Sequence, residues 1–216
     1  MDEPRKVAEA VDKMGLDYAV VTMVARDDLA DGGAAHVAET IHAIRDRRPG
    51  ARVEVLISDC RGDGAALDVI NNARPDVLNH NIETVARLQR VARPSASYAR
   101  SLAVLARASA AGLVTKSSII VGMGETHEEV VATMADLAAI GVDIVTIGQY
   151  LRPTSNHLPV ARWCTPDEFA AWKSIGEDEF GISHVESSPL TRSSYHAKAG
   201  ETAARVSHSL RGADVR

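Results

Sequence analysis

Short apolar runs alternate with amphipathic stretches along most of this chain. Residues 4–14 carry Val7, Val11 and Met14 on one face and stop at Gly15, which predicts a helix. Residues 18–24 are apolar except for Thr22 and have strand length. Residues 33–48 place Val37, Ile41 and Ile44 three or four apart, predicting a helix that ends at Pro49-Gly50. The same reading predicts strands over residues 52–57, 75–79, 115–121, 142–147 and 182–185, and helices over residues 65–73, 83–90 and 97–111. Thr126-His127-Glu128-Glu129 is a capping box that opens a helix closed by Gly141. Thr165-Pro166-Asp167-Glu168 is a second, with proline at the first helical position. Residues 200–216 are rich in Ala, Ser and Arg and read as a disordered tail, leaving one domain over residues 1–199.

Fully apolar strands alternating with helices imply a parallel sheet covered by helices. Right-handed crossovers make successive strands step the same way and curl. The expected fold class is α/β, a partial parallel β/α barrel of TIM type with a C-terminal extension.

Bulk properties narrow the function. The 216 residues are 45% hydrophobic, enough to fill a core. A net charge of −5 without a basic block argues against nucleic-acid binding. No apolar run approaches the ~18 residues of a membrane span. The N-terminus lacks the apolar stretch of a signal peptide, so a cytoplasmic location is expected. Cys60 and Cys164 lie far apart and form no metal-binding spacing.

Candidate chemistry gathers just after the strands. Arg26-Asp27-Asp28, Ser58-Asp59, Asn79-His80-Asn81, Gly122 to Glu125, and Gly148-Gln149-Tyr150 would share one rim of a parallel barrel. Each also has a plain structural reading. Asp27 and Asp28 suit an Asx-type turn. Asn79, Asn81 and Glu83 fit helix capping as well as ligand binding. His80 has no nucleophile placed with it and reads as a rim histidine. The Gly122–Glu125 turn is not a P-loop, since no Gly-Lys-Ser/Thr follows. Lys116 opens an apolar strand, so its ammonium either reaches water or meets an anion such as a substrate or cofactor carboxylate.

Near the C-terminus stands Arg192-Ser193-Ser194-Tyr195. Together with Val21 to His36, Asn79-His80-Asn81-Ile82-Glu83-Thr84-Val85, Thr115-Lys116-Ser117-Ser118, Gly122-Met123-Gly124-Glu125-Thr126 and Thr146 to Pro153, it resembles the lipoyl synthases of the radical S-adenosylmethionine (SAM) superfamily over roughly residues 2–198. The resemblance implies insertion of two sulfur atoms at C6 and C8 of an octanoyl group carried on a protein lysine. It implies SAM and two [4Fe-4S] clusters as cofactors. It implies SAM contacts from Thr22, Asp27, Asp28, Asn79, Asn81, Glu83, Lys116, Gly122, Glu125 and Gln149. Ser194 would be an oxygen ligand of the auxiliary cluster, supported by Arg192. The implied partners are an octanoylated lipoyl-carrier domain or the glycine-cleavage H protein.

The chain departs from the family pattern. Neither cysteine triplet is present, and the first barrel strand is missing with them. Met23 and Ala25 stand where Ser and Asp are usual, Ser58-Asp59-Cys60 replaces Pro-Asp-Phe, and Ser188 replaces Gly. Two distant cysteines and a serine cannot ligate a cluster. These residues are therefore expected to hold none and to be inactive alone. Three readings stay open: a start internal to a longer gene, a non-catalytic truncated barrel, or half of a split enzyme. The unpaired strand edge predicts self-association or a second chain that supplies the clusters. Thr22, Asp27, Asn81, Glu83 and Lys116 are expected on one rim, with Ser194 above it and Arg192 paired to Asp28.

Overall fold

A computed structural model of the chain describes residues 2–194 and 196–213, with side chains through Val206. Six strands form one sheet in the order β1-β2-β3-β4-β5-β6: Tyr18–Thr22, Arg52–Leu56, Val77–Asn79, Val114–Val121, Ile144–Gln149 and His184–Ser187. Every neighbouring pair is parallel. β1 and β6 are the two edges, so the curl is an open, partial barrel.

Helices α1 (Glu3–Lys13), α2 (Ala34–Arg47), α3 (Gly64–Asn72), α4 (Gln89–Ala92), α5 (Tyr98–Ala110), α6 (His127–Ala139) and α7 (Pro166–Ser174) alternate with the strands. The period of two in each strand divides the residues between two faces. Ala19, Val53, Val55 and Leu78 join a core with α1, α2 and α3. Ile119, Val121, Val145, Ile147 and Val185 join a second with α6 and α7, around Phe169 and Trp172. Both predicted capping boxes form, at Thr126/Glu129 and Thr165/Glu168.

The inner face is polar at its centre. Glu54 accepts hydrogen bonds from Tyr18 (2.8 Å), Asn79 (3.1 Å) and Lys116 (3.0 Å). Lys116 and Glu54 are almost wholly buried. Full pairing makes this buried charge tolerable. The anion expected beside Lys116 is thus the protein's own glutamate.

Two segments depart from expectation. Residues 83–90 do not begin as a helix. Glu83 has φ +68 and pairs with Ile119, extending the β3 line beyond Asn79. Helix periodicity cannot register a main-chain partner that lies far along the sequence. Residues 200–213, expected to be a tail, belong to helix α8 (Ala197–Ala213). Its Ala204 packs against Val77, Val114 and Ile144, the first residues of three strands, and so closes the N-terminal end of the barrel. Its Glu201 is fully buried and paired with Arg52 and Arg205. A buried glutamate looks like surface in a sequence, which hides the helix's inner face.

Candidate functional site

The C-terminal strand ends form two adjoining clefts that share Asn81 and Glu83. One, of about 340 Å³, is lined by Ser118, Ile120, Gly148, Gln149, Arg192 and Ser193 among others, besides those two. The other, of about 270 Å³, is lined by Thr22, Asp27, Asp59, His80 and Arg93 among others. Thr22, Asp27, Asn81 and Glu83 thus converge, as the parallel topology requires.

Gly148 brings the C-terminal segment to this rim. A Cβ at Gly148 would lie 2.2 Å from the Thr191 carbonyl oxygen. Without one, residues 188–191 run close along the end of β5. Ser188 N–H donates to Ile147 O and Gln149 N–H to Pro189 O. Arg192 and Ser193 then reach the cleft. Ser194 is exposed and lines a neighbouring groove with Tyr18 and Val20, between the β1 edge and α8. Tyr195 lies outside the described residues.

Asn81 Nδ2 donates to Glu83 at 3.1 Å. Asn81 Oδ1, Asn79 Oδ1 and Thr146 Oγ are buried without a hydrogen-bond partner. Burial pushes the Glu83 carboxyl above its ordinary value, against the pull of Asn81 and of the Arg93 charge. Unsatisfied buried acceptors are costly and mark places where a ligand completes the structure. Of the three residues, only Asn81 lines the clefts, which offer its acceptor and the Glu83 carboxylate to a ligand rich in donors, with Arg93 and Arg192 for an anionic group. SAM has an ammonium, ribose hydroxyls and an adenine amine as donors, plus a carboxylate, so this residue set fits it.

Other predicted contacts are placed elsewhere. Lys116 lies on one pairing row with Thr22, Leu56 and Asn79 but well before the end of its own strand, and it points to Glu54. Asp28 is paired with Arg26, two residues away, not with Arg192. Arg192 instead donates to Thr191 O at 2.6 Å. Glu125 accepts from the Gly122 and Met123 N–H groups and so builds its own turn. Gly122, with φ +104, allows Gln149 to approach where a Cβ would meet it. Gln149 does line the first cleft, where its side chain is a latch: its Nε2 donates to Tyr150 O and Arg162 O, and its Oε1 accepts from Cys164 N–H. His80 is buried between Ile57 O and Ser101, and burial lowers its pKa, consistent with a structural histidine. Arg93, Ser118 and Thr146 were not among the expected contact residues. Arg93 and Ser118 come to the two clefts only through the β3 extension, and Thr146 sits beside Ser118 in the strand register.

Iron–sulfur clusters do not fit the described residues. Among them no three His, Cys, Asp or Glu groups are placed to hold a metal. Cys60 and Cys164 are both buried, and burial raises both thiol pKa values, Cys164 to about 11. A protonated thiol is a poor ligand.

The sheet, its helices and its rim define a class. A Radical SAM superfamily profile matches residues 1–137, and the chain belongs to that superfamily. It is similar in fold to HydG, a maturase of the [FeFe]-hydrogenase, with a TM-score of 0.69 at 16% identity over 94% of this chain and 47% of that one. It is likewise similar to Streptococcus suis SuiB bound to S-adenosylmethionine, with a TM-score of 0.63 at 7% identity over 87% and 44%. Sequence relatives narrow the class. The lipoyl synthase of Rubrobacter xylanophilus is 58% identical over 91% of this chain and 62% of that protein. That of Chlorobaculum parvum is 56% identical over 96% and 71%. The chain belongs to the lipoyl synthase family and spans 62% to 71% of the length of these two relatives. Among the described residues no helix is long and apolar enough to cross a membrane.

Proposed function

We propose that this chain is the SAM-binding, substrate-facing part of a lipoyl synthase. Such an enzyme of lipoate biosynthesis inserts sulfur at C6 and C8 of an octanoyl group on a carrier-protein lysine. The observation that carries this reading is the 58% identity to a lipoyl synthase over nearly the whole chain. SAM, when bound and reduced at a cluster, supplies the carbon radical that removes hydrogen from an unactivated carbon. The chain's own residues bind and orient. Asp27 and the Thr22 hydroxyl accept from the ammonium, Asn81 Oδ1 and Glu83 accept from ribose or adenine, and Arg93 faces the carboxylate. Ile120, Leu151 and Pro153 present apolar surface that excludes water from the acyl chain. Ser194, which in this structure lines the groove beside Tyr18 and Val20, would offer one oxygen ligand to an auxiliary cluster whose other ligands the described residues do not supply. The thiolate ligands come from residues outside this barrel, so the chain alone is inactive.

The test combines binding with complementation. Calorimetry should show SAM binding to the chain. In a lipoate-requiring bacterial strain, the chain alone should not restore growth. The chain preceded by the N-terminal portion of the Rubrobacter relative should restore it. A folded, cluster-loaded fusion that binds SAM yet forms no lipoyl groups defeats the reading.

A further inference from the structure

The loop after β1 has one neighbour in the sheet. β1 is an edge strand paired with β2, so within the sheet residues 23–33 have only the turn after β2 beside them. That turn is strained. Cys60 and Arg61 have φ of +43 and +55, and Gly62 follows at +78. Residues with a Cβ avoid this region and stay in it only where the surroundings impose it. Here Asp59 imposes it. Its Oδ1 accepts from the Arg61 N–H at 3.0 Å, its main-chain oxygen from the Gly62 N–H at 2.7 Å, and its Oδ2 from Arg100 on α5 at 2.7 Å.

This conformation aims the Arg61 guanidinium at the loop. It donates to the carbonyl oxygens of Asp27 at 3.5 Å and of Leu29 and Ala30 at 3.3 Å. Each bond is long, and the hold comes from three oxygens converging on one planar cation. Among the described residues, the hydrogen bonds that tie residues 27–30 to another element all come from Arg61. Gly32 lets the loop close on the turn, since a Cβ there would lie 3.2 Å from Cys60 Cα. The charges of Asp31, Asp59 and Asp63 reach Cys60, so the guanidinium stands in an acidic neighbourhood that suits a cation. The loop in turn carries Asp27 to the second cleft.

We propose that Arg61 is a positioning residue that fixes the loop after β1 and so sets the Asp27 carboxylate against the ammonium of SAM. The ammonium contact rests on the proposed function. The tie rests on the strained turn and its three carbonyls. Arg61 needs no contact with the ligand, because it acts through Asp27.

The test compares Arg61→Gly, Asp27→Ala and the double variant in the full chain. Glycine adopts a φ of +55 without strain, so the denaturant midpoint of Arg61→Gly should not fall. Amide exchange over residues 29–33 should quicken about tenfold, with the strands unchanged. SAM affinity by calorimetry should fall about fivefold in Arg61→Gly and about tenfold in Asp27→Ala. Removing a positive charge beside a cationic ligand favours binding by itself, so the loss reads placement. The double variant should bind as Asp27→Ala does, because both changes remove one contact. Additive losses, about fiftyfold together, would put the effect of Arg61 outside Asp27 and overturn the inference. A lower midpoint with unchanged affinity would make Arg61 a prop of the fold alone and overturn it too. SAM binding with affinity and exchange both unchanged in Arg61→Gly removes the tie and leaves the site reading. No SAM binding by the unchanged chain overturns the site reading, while faster loop exchange in Arg61→Gly still upholds the tie.

Discussion

The interior of the barrel is closed by pairing at its centre and left open at its rim. Deep inside, Glu54 binds Tyr18, Asn79 and Lys116, so a buried charge is fully answered. A strand end away, Asn81 and Glu83 answer only each other, and Asn81 Oδ1 has no partner. Both regions are polar and lie on the inner face, the centre fully buried and the rim half-buried. The difference lies in satisfaction. A charge met by a cation and two further donors holds the fold, whereas one met by a single amide is held by the fold and awaits a ligand.

The sharpest way to break this contrast is to open the centre. Lys116→Met strands Glu54 without its cation, and breaking a buried pair costs about 3–5 kcal/mol. Denaturant unfolding should show a loss of that order. Glu54→Leu together with Lys116→Met should recover most of it, since the orphaned charge is gone. A single variant as stable as the unchanged chain would show that the pair holds nothing.

Next in size is the rim's attachment. Gly148→Ala puts a methyl against the Thr191 carbonyl and should destabilise by about 1–3 kcal/mol. The loss should be local, with faster amide exchange over residues 188–193 and little change in the strands. Equal exchange would mean that the close approach is not needed to seat the segment.

Asn81→Ala separates the regions by function. Stability should change by about 1 kcal/mol or less, because Asn81 Oδ1 makes no hydrogen bond and only the half-buried Nδ2 bond to Glu83 is lost. SAM affinity, by calorimetry, should drop about tenfold, the order of one hydrogen bond to a polar ligand. Unchanged affinity would remove Asn81 from the site.

How far each region was legible follows from the range of its interactions. Strand positions, both capping boxes and the convergence of Thr22, Asp27, Asn81 and Glu83 could be read, because they depend on local periodicity and on the single rule that parallel strands end on one side. The Lys116–Glu54 pair could not, because its partners stand on strands separated by a third. The sequence marked Lys116 as needing an anion and left the choice of anion to the fold. The pairing of Asp28 with Arg26 was local, but a functional reading of the segment looked past it. Helix α8 was missed because its buried face carries Glu201 and small alanines, which have no apolar periodicity of their own.

The smallest expected effect is the most specific to the rim. Burial raises the Glu83 carboxyl above its usual value, so the folded chain holds this proton more tightly than the unfolded one. For a raised carboxyl, the stabilising contribution is complete below the unfolded value and fades as pH rises through the folded value. At neutral pH the ionised carboxylate therefore carries a desolvation penalty, only partly offset by Asn81 and Arg93. Glu83→Gln keeps an acceptor for Asn81 and removes the charge. The variant should match the unchanged chain near pH 4 and be slightly more stable at pH 7, by less than about 1 kcal/mol because Glu83 is only half-buried by its surface. Denaturant midpoints across that range read the difference. A gap that stays constant with pH would mean that Glu83 is as well compensated as Glu54, and the contrast between centre and rim would fail at its most telling residue.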